Sequence, residues 1–368
     1  MSRVLIIGGG VMGCAIGLRL RQAGKQVLIL ERAVPGAEAS SAAAGMLAPQ
    51  MEADGPGPFF DLCMLSKARY PAFTEELEEL SGMRVDYLRS GLLHVAFNEA
   101  ELPDFDAQVG WQQALGLRAE RIDAEDAWAI EPELSREVVG ASWFPDDHQL
   151  DNRLLVRALS MAAARVGVRF RTGNVREIVE QEGRVVGVDI EGELLRADHV
   201  VLAAGSWSGL VQGAPLTPQR LRPARGQMVV LHPRVPPFKH LLKAEGGYLV
   251  PRRDGRVIAG TTMELAGFEK SVTARGLMRL LEMALRLCPA LEGAPVGEHW
   301  AGLRPYTDDR LPIIGPGPLP GLFLATGHFR NGILLAPITA ELVTACLTGE
   351  PPAVDLGPFR LDRFPAGG

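Results

Sequence analysis

The sequence is poor in cysteine and has no basic tract. Its four cysteines, Cys14, Cys63, Cys288 and Cys346, form neither a C-x-x-C pair nor a cluster with the spacing of metal ligands. We therefore expect a reducing compartment and no metal site. The formal net charge of −6 argues against nucleic acid and anionic membranes as partners, because neither is attracted by excess negative charge.

Long hydrophobic runs are also missing. No apolar segment reaches membrane-spanning length, and no basic stretch followed by a long apolar one marks a signal peptide. We therefore expect a soluble, cytoplasmic protein. Hydrophobic residues still make up 47% of the 368 residues, a length above the usual single-core size, so we expect two domains.

The start of the chain contains an apolar segment, a glycine-rich turn and a second apolar segment, in that order. Residues 4–7 are typical of a buried parallel strand and lead into Gly8, Gly10 and Gly13, spaced as G-x-G-x-x-G. An amphipathic helix and a strand over residues 27–30 are predicted next. Gly8 allows a tight turn, Gly10 close approach to a pyrophosphate, and Gly13 close helix–strand packing. The unit predicts dinucleotide binding.

An acidic residue, Glu31, follows the second strand. Its carboxylate can accept hydrogen bonds from ribose hydroxyls and would repel a 2′-phosphate. The amino terminus of the first helix offers free N–H groups and a partial positive charge to the pyrophosphate. FAD or NAD therefore fits this site, and NADP does not.

Residues 39–46 are nearly all small. Such a segment can pass close beneath a flat ligand, with hydroxyls and backbone amides reaching the ligand; its members include Ser40, Ser41, Ala44, Gly45 and Met46. A serine that caps a helix is the alternative interpretation, and both can hold.

A buried strand beginning at residue 199 breaks at Ala204 and Gly205, before Trp207. This is the pattern of an inner strand that ends beneath a dinucleotide. Residues 168–170, 175–180 and 185–190 are predicted to form hairpin strands, and the chain from Gly349 onward to form a tail.

From about residue 85, the pattern of apolar and turn residues becomes typical of short strands and loops. We predict an α/β fold: a Rossmann-like dinucleotide domain and a smaller α+β substrate domain built on an antiparallel sheet. The first would comprise residues 1–83, 147–218 and 300–368, and the second residues 84–146 and 219–299.

Separated stretches of the chain resemble a known family. The glycine turn with Glu31, the small-residue run at 40–46, and the late segments W-A-G-L-R, ending at Arg304, and G-H-F-R-N-G-I-L, ending at Leu334, resemble the glycine oxidases. These belong to the D-amino-acid oxidase and sarcosine oxidase group of FAD-dependent amine oxidases. The resemblance covers essentially the whole chain.

The resemblance implies FAD as cofactor and places its contacts at Val11, Met12, Glu31, Arg32, Ser40, Ala44, Gly45, Met46, Val175, His328, Phe329, Arg330, Asn331, Gly332, Ile333 and Leu334. It places the substrate carboxylate on Arg304, with Tyr248, Met263 and Arg330 around the ligand. A guanidinium fork suits a carboxylate because it donates two parallel hydrogen bonds. The cysteine that binds FAD covalently in the sarcosine oxidase branch has no counterpart after Arg304, so FAD should be non-covalent.

The implied reaction is hydride transfer from the substrate α-carbon to flavin N5, followed by hydrolysis of the imine and formation of hydrogen peroxide from oxygen. If the bound amine is neutral, this reaction depends on the position of the substrate relative to the flavin more than on a protein group that moves a proton. The helix that begins near residue 331 could stabilise charge on the flavin. Met46, Met51 and Met263 could crowd the pocket and favour glycine.

Two alternatives remain at this point: a D-amino-acid dehydrogenase that passes electrons to a quinone or other carrier, and a flavoprotein without turnover that serves as a binding module. The resemblance also implies a homo-oligomer, a tetramer, and a role in thiamine thiazole synthesis. The preferred amine stays open.

Overall fold

The computed structural model describes residues 2–364, in which nine helices and nineteen strands are found. The helices are α1 (Val11–Gln22), α2 (Ala39–Ala42), α3 (Pro49–Glu52), α4 (Pro58–Ser81), α5 (Leu102–Ala114), α6 (Ala124–Ile130), α7 (Asn152–Arg165), α8 (Ala274–Leu287) and α9 (Gly332–Thr348). The strands are β1 (Arg3–Ile7), β2 (Gln26–Glu31), β3 (Met46–Leu47), β4 (Leu92–Ala96), β5 (Glu120–Asp123), β6 (Gly140–Phe144), β7 (His148–Gln149), β8 (Arg169–Thr172), β9 (Val175–Gln181), β10 (Arg184–Ile190), β11 (Glu193–Arg196), β12 (His199–Leu202), β13 (Arg222–Leu231), β14 (Leu241–Ala244), β15 (Gly247–Pro251), β16 (Val257–Gly260), β17 (Val296–Tyr306), β18 (Ile313–Pro316) and β19 (Leu322–Thr326).

A six-stranded sheet carries the glycine turn. Its order is β18-β19-β12-β1-β2-β8, parallel except for the edge strand β18. Because side chains alternate along a strand, Val4 and Ile6 pack against the helices, whereas Leu5 and Ile7 pack towards a three-stranded sheet of β9, β10 and β11. The Rossmann-like α/β prediction is confirmed.

The first strand predicted for the hairpin run, over residues 168–170, belongs to the six-stranded sheet instead. β8 pairs in parallel with β2 and extends the six-stranded sheet, because α7 returns the chain to that edge. β9 and β10 do form the expected hairpin. Its turn contains Glu182 and Gly183, both with positive φ.

An eight-stranded sheet, in the order β17-β13-β16-β15-β14-β4-β6-β5, forms the second layer. Its pairs are antiparallel as predicted, except that β4 lies parallel to β14. These two strands are not joined by a hairpin, since the chain visits the six-stranded sheet between them. The proposed domain boundary at residue 300 falls inside β17, and the division into domains stays a prediction.

The expectation that no apolar segment reaches membrane-spanning length was wrong for the last long helix. The segment Phe329–Thr348 is long and apolar enough to cross a membrane by length and composition. Most of that segment, however, is buried inside the protein, where α9 packs against α1 and α4. Its hydrophobicity is that of a core helix.

The predicted tail is wrong over the described residues after Gly349. Leu356 and Phe359 are buried in the core, and Arg363 pairs with Asp309 at 2.7 Å. Two apolar anchors among prolines and glycines are enough to hold this segment against the domain. Residues 365–368 of the predicted tail lie outside the described residues.

Candidate active site

One large cavity, of about 640 Å³, runs from the glycine turn at the edge of the six-stranded sheet to a face of the eight-stranded sheet. Most of the residues predicted for the site line it: Gly8, Gly10, Val11, Met12, Glu31, Arg32, Ser40, Ala44, Gly45, Met46, Val175, Ala204, Gly205, Trp207, Tyr248, Arg304, His328, Phe329, Arg330, Asn331, Gly332 and Ile333. Four predicted residues, Gly13, Ser41, Met263 and Leu334, do not. We call the part around Gly8, Gly10, Glu31 and Trp207 the dinucleotide end, and the part around Glu52, Tyr248, Arg304 and Arg330 the arginine end.

The glycines of the turn occupy positions where a side chain does not fit. A Cβ at Gly8, whose φ is +106°, would lie 2.5 Å from the carbonyl oxygen of Ala203. A Cβ at Gly13 would lie 1.9 Å from the carbonyl oxygen of Gly8, which explains why Gly13 packs behind the cavity rather than lining it. The turn therefore keeps the backbone open to a ligand, as a bound pyrophosphate requires.

The amino terminus of α1 faces this turn. Its first amide, that of Val11, donates to Ser40 Oγ at 3.0 Å. Among the described residues, the amides of Met12 and Gly13 have no acceptor, and no acidic residue lies in the first turn. The amide of Met12, which lines the cavity, and the positive end of the helix fit an anionic phosphate group.

Glu31 lies at the end of β2, as predicted. Its Oε2 accepts from the amide of Gly9 at 2.7 Å, and its Oε1 accepts from the amide of Ala33 at 3.0 Å. These bonds hold the carboxylate at the cavity wall, where its remaining lone pairs can accept ribose hydroxyls. Arg32, next in sequence, stacks over the ring of Trp207 at 4.0 Å.

The small-residue segment crosses the cavity as expected, but the proposed serine caps were wrong. Ser40 and Ser41 lie inside α2, whose capping position is Glu38, and Ser40 instead contacts the start of α1. Small size matters most at Gly45, where a Cβ would lie 2.0 Å from the carbonyl oxygen of Leu150. The buried Arg252 donates to the carbonyl oxygen of Ala44 at 2.8 Å and fixes the segment from the other side.

The amino-terminal residues of α9 and the 3₁₀ turn before it line the middle of the cavity. Burial lowers the pKa of His328 to about 3, and its Nε2 lies 3.1 Å from Thr339 Oγ1. The ring is therefore neutral and directed into the helix. The helix terminus offers its positive end to a ligand instead.

Arg304 projects from β17 at the arginine end. Its Nη2 donates to Thr261 Oγ1 at 2.5 Å and its Nη1 to the carbonyl oxygen of Thr262 at 3.3 Å. No carboxylate of residues 2–364 pairs with it. Burial holds its pKa below the ordinary value for arginine. A desolvated guanidinium without a protein counter-charge fits an anionic ligand group.

Space for this guanidinium comes from Gly226 on the neighbouring strand β13. A Cβ there would lie 2.1 Å from Arg304 Nη2. Tyr248 of β15 lies close by, with its hydroxyl donating to Met228 Sδ at 3.8 Å. Burial raises the pKa of Tyr248, and the charge of Arg304 opposes that rise. Its hydroxyl keeps its proton at neutral pH and can donate to a ligand.

Arg330 differs from Arg304 because it already has a partner. Its Nη2 donates to Glu52 Oε1 at 2.5 Å, and both residues line the cavity. The structure therefore places the two predicted arginines in one site, with different charge environments. Of these two arginines, Arg304 is the one without an ion pair to a carboxylate among the described residues.

Some of the residues predicted to contact a ligand do not line the cavity, namely two of the three methionines, Leu334 and Ser41. Met263 is 52% exposed and Met51 lies in the core beside the cavity, so Met46 alone of the three lines it. Leu334 lies in the first turn of α9 and is buried in the core. Ser41 lies in α2, which packs against α7, and does not line the cavity.

Sequence reasoning missed Glu52, Thr261, Gly226 and Met228, all of which line the cavity. None of the four belongs to a motif that the sequence displays: Glu52 lies in the short α3, Gly226 and Met228 in β13, and Thr261 directly after β16. Only Gly226 left a signal, since a glycine within an apolar strand indicates a close approach.

The chain matches the family DAO, FAD dependent oxidoreductase, over residues 3–346. It is 41% identical over 373 residues to the bifunctional protein ThiO/ThiG of Synechocystis sp., an alignment that covers 99% of this chain and 54% of that protein. It is 36% identical to a glycine oxidase of Geobacillus kaustophilus, over 98% of this chain and 96% of that one. The crystal structure of glycine oxidase from Geobacillus kaustophilus superimposes with a TM-score of 0.95, at 35% identity and over 99% and 100% of the two chains. The chain thus spans about half the length of the bifunctional relatives that it matches.

Proposed function

The chain belongs to the DAO family of FAD-dependent oxidoreductases, and on that premise we propose that it oxidises glycine and other small amines, including sarcosine and small D-amino acids. The products are the α-keto acid, ammonia or a primary amine, and hydrogen peroxide. FAD is the cofactor of this family, and none of the four cysteines lines the cavity, which supports non-covalent binding.

One observation carries the proposal: Arg304 is a desolvated guanidinium in the cavity wall without a carboxylate partner among the described residues. A small amino acid offers a carboxylate for this fork and little else to hold. The Tyr248 hydroxyl can donate to the same carboxylate. Ala48, Met228 and Tyr248 add a narrow apolar wall, which favours a substrate without a large side chain.

The residues of the dinucleotide end would hold FAD, which would supply the acceptor for a hydride from the substrate α-carbon. The residues of the chain supply position and electrostatics. Arg304 and Tyr248 hold the carboxylate, and the amino terminus of α9 gives a positive potential at the wall formed by residues 328–332. His328 is too weak a base to take a proton at neutral pH, because burial lowers its pKa to about 3. The amino group must therefore react in its neutral form.

The electron acceptor is proposed to be oxygen. A quinone or other carrier is the second candidate, because the fold serves both kinds of enzyme. We further propose that the product feeds thiamine thiazole synthesis, supported by the ThiO/ThiG relatives. A cytoplasmic homo-oligomer, a tetramer by family resemblance, completes the proposal.

An anaerobic titration with glycine, sarcosine, D-alanine and D-proline tests the reaction, with flavin absorbance as the readout. Bleaching by glycine is expected. If none of these amines bleaches the flavin, the chain is a binding module rather than this enzyme. Peroxide formation in air, compared with dye reduction under nitrogen, then separates oxygen from a carrier.

A further inference from the structure

Helix α3 is only one turn long, yet buried side chains from distant parts of the chain hold it at both ends. At its amino end, the fully buried carboxylate of Asp147 accepts from the amides of Gln50 at 3.2 Å and Met51 at 2.9 Å. A side chain almost a hundred positions away thus supplies the cap that the preceding residue, Ala48, cannot.

The carbonyl end of α3 is held by two glutamines of α5. Gln108 Nε2 donates to the carbonyl oxygens of Gln50, Met51 and Ala53 at 3.1 to 3.2 Å. Gln112 Nε2 donates to the carbonyl oxygen of Gln50 at 2.8 Å. Isolated single turns are unstable in water, so these bonds determine where the helix lies.

The last residue of this helix is Glu52, whose side chain is 17% exposed and lines the cavity. Its Oε1 accepts from Arg330 Nη2, whereas its Oε2 accepts no hydrogen bond from any residue of the described chain. Glu52 lines the same cavity as Arg304 and Tyr248, and its charge favours a higher pKa for both of them. The network around α3 therefore presents one free carboxylate oxygen to the arginine end.

We propose that Glu52 Oε2 accepts a hydrogen bond from the amino group of the substrate while Arg304 binds its carboxylate. This inference rests on the proposed function and adds a specificity-determining residue to it. A guanidinium and a hydrogen-bond acceptor in the arginine end match the carboxylate and the amino group of an amino acid. A carboxylic acid that lacks the amine can bind Arg304 but not Glu52, and the negative charge of Glu52 repels its carboxylate.

The pairing with Arg330 also has a role in this arrangement. It satisfies Oε1, leaves Oε2 without a hydrogen-bond partner among the described residues, and neutralises the charge of Arg330. Arg304 is then the stronger site for the substrate carboxylate. Glu52 therefore sets the orientation of the substrate as well as its class. If Glu52 were only the structural partner of Arg330, its replacement would affect amines and simple carboxylates alike.

The test compares glycine with acetate, which is glycine without the amino group, in Glu52→Gln. Binding is measured by titration of the chemically reduced holoenzyme, in which glycine cannot turn over. We expect the Kd of glycine to rise roughly tenfold, because a hydrogen bond to a charged group is lost. The Kd of acetate should stay the same or fall, because the repulsion disappears.

Asp54→Asn is the matched control, since Asp54 is nearby in sequence but 96% exposed at its side chain. It should leave both constants unchanged, and the flavin content of both variants should equal that of the wild type. An equal rise for glycine and acetate, or no change for glycine, would overturn the proposal. Anaerobic bleaching of the wild type by glycine is recorded separately, so failure of the proposed reaction is not confused with failure of this contact.

Discussion

The two ends of the cavity are built in different ways. The dinucleotide end comes largely from one local unit, in which Gly8, Gly13 and Glu31 lie within the first βαβ segment and hold each other through backbone contacts. The arginine end is assembled from segments far apart in the chain, among them α3, β15, β17 and the turn before α9. Backbone geometry determines the first end, and side-chain networks determine the second.

This contrast indicates which substitutions should affect cofactor binding and which should affect substrate binding. Changes in the backbone-determined end should abolish cofactor binding as a whole. Changes in the network-determined end should leave FAD in place and alter substrate constants by graded amounts. The predictions below are arranged from the largest expected effect to the smallest.

Gly13→Leu should give the largest effect. Its Cβ would lie 1.9 Å from the carbonyl oxygen of Gly8, a backbone atom that cannot move away without opening the turn. We expect purified protein that retains essentially no FAD, measured as the ratio of flavin to protein absorbance. Gly110→Ala is the control, because a Cβ there meets nothing within 4 Å. Normal flavin content in Gly13→Leu would contradict the packing described for the turn.

Arg304→Ala should keep FAD but lose most substrate affinity. Removing one partner of a buried charge pair costs about 2–5 kcal/mol, which corresponds to a rise in KM of roughly 30- to 5000-fold. Steady-state kinetics with glycine would measure this. Arg310→Ala, a surface arginine 66% exposed at its side chain, should change nothing. Unchanged glycine kinetics in the Arg304 variant would remove this residue from the site.

Much of the dinucleotide end could be predicted from sequence because its signals are local. Gly8, Gly10, Gly13 and Glu31 lie within one short unit, and both arginines to which the family resemblance pointed line one cavity. Glu52 could not be predicted in the same way. Its position depends on hydrogen bonds from Asp147 and from α5, which no spacing in the sequence reveals.

The same reasoning explains the errors in the fold. The end of the chain looked like a tail by composition, yet two buried apolar residues hold it in place. The apolar α9 could be distinguished from a membrane helix only through its neighbours α1 and α4. Tertiary contacts decide such cases, and local patterns do not contain them.

Gly226→Ala should have an intermediate effect on the arginine end. The added Cβ would lie 2.1 Å from Arg304 Nη2, and the guanidinium, as the far end of a flexible side chain, would shift away. Because the guanidinium positions the substrate, its displacement should raise the KM for glycine by roughly tenfold while FAD stays bound. Gly55→Ala, where a Cβ meets nothing within 4 Å, is the control. An unchanged KM would show that the guanidinium does not need its present position.

Asp147→Asn should have the smallest effect and a characteristic dependence on pH. Burial raises the pKa of Asp147 to about 7, with Lys67 and the amides of Gln50 and Met51 opposing that rise and Glu52 adding to it. The folded state therefore binds a proton that the unfolded chain releases near pH 4. The resulting contribution to the free energy of unfolding is fully present below pH 4 and is lost as the pH rises to about 7.

In the asparagine variant this contribution disappears. Chemical denaturation at pH 5 and pH 8 should therefore show a larger loss of stability with rising pH in the wild type than in Asp147→Asn. Because the amide offers only one acceptor to the two backbone donors of α3, the KM for glycine should also rise, by roughly two- to tenfold. Equal pH dependence in both proteins, with an unchanged KM, would mean that α3 keeps its place without this carboxylate. The arginine end would then depend less on distant side chains than the structure indicates.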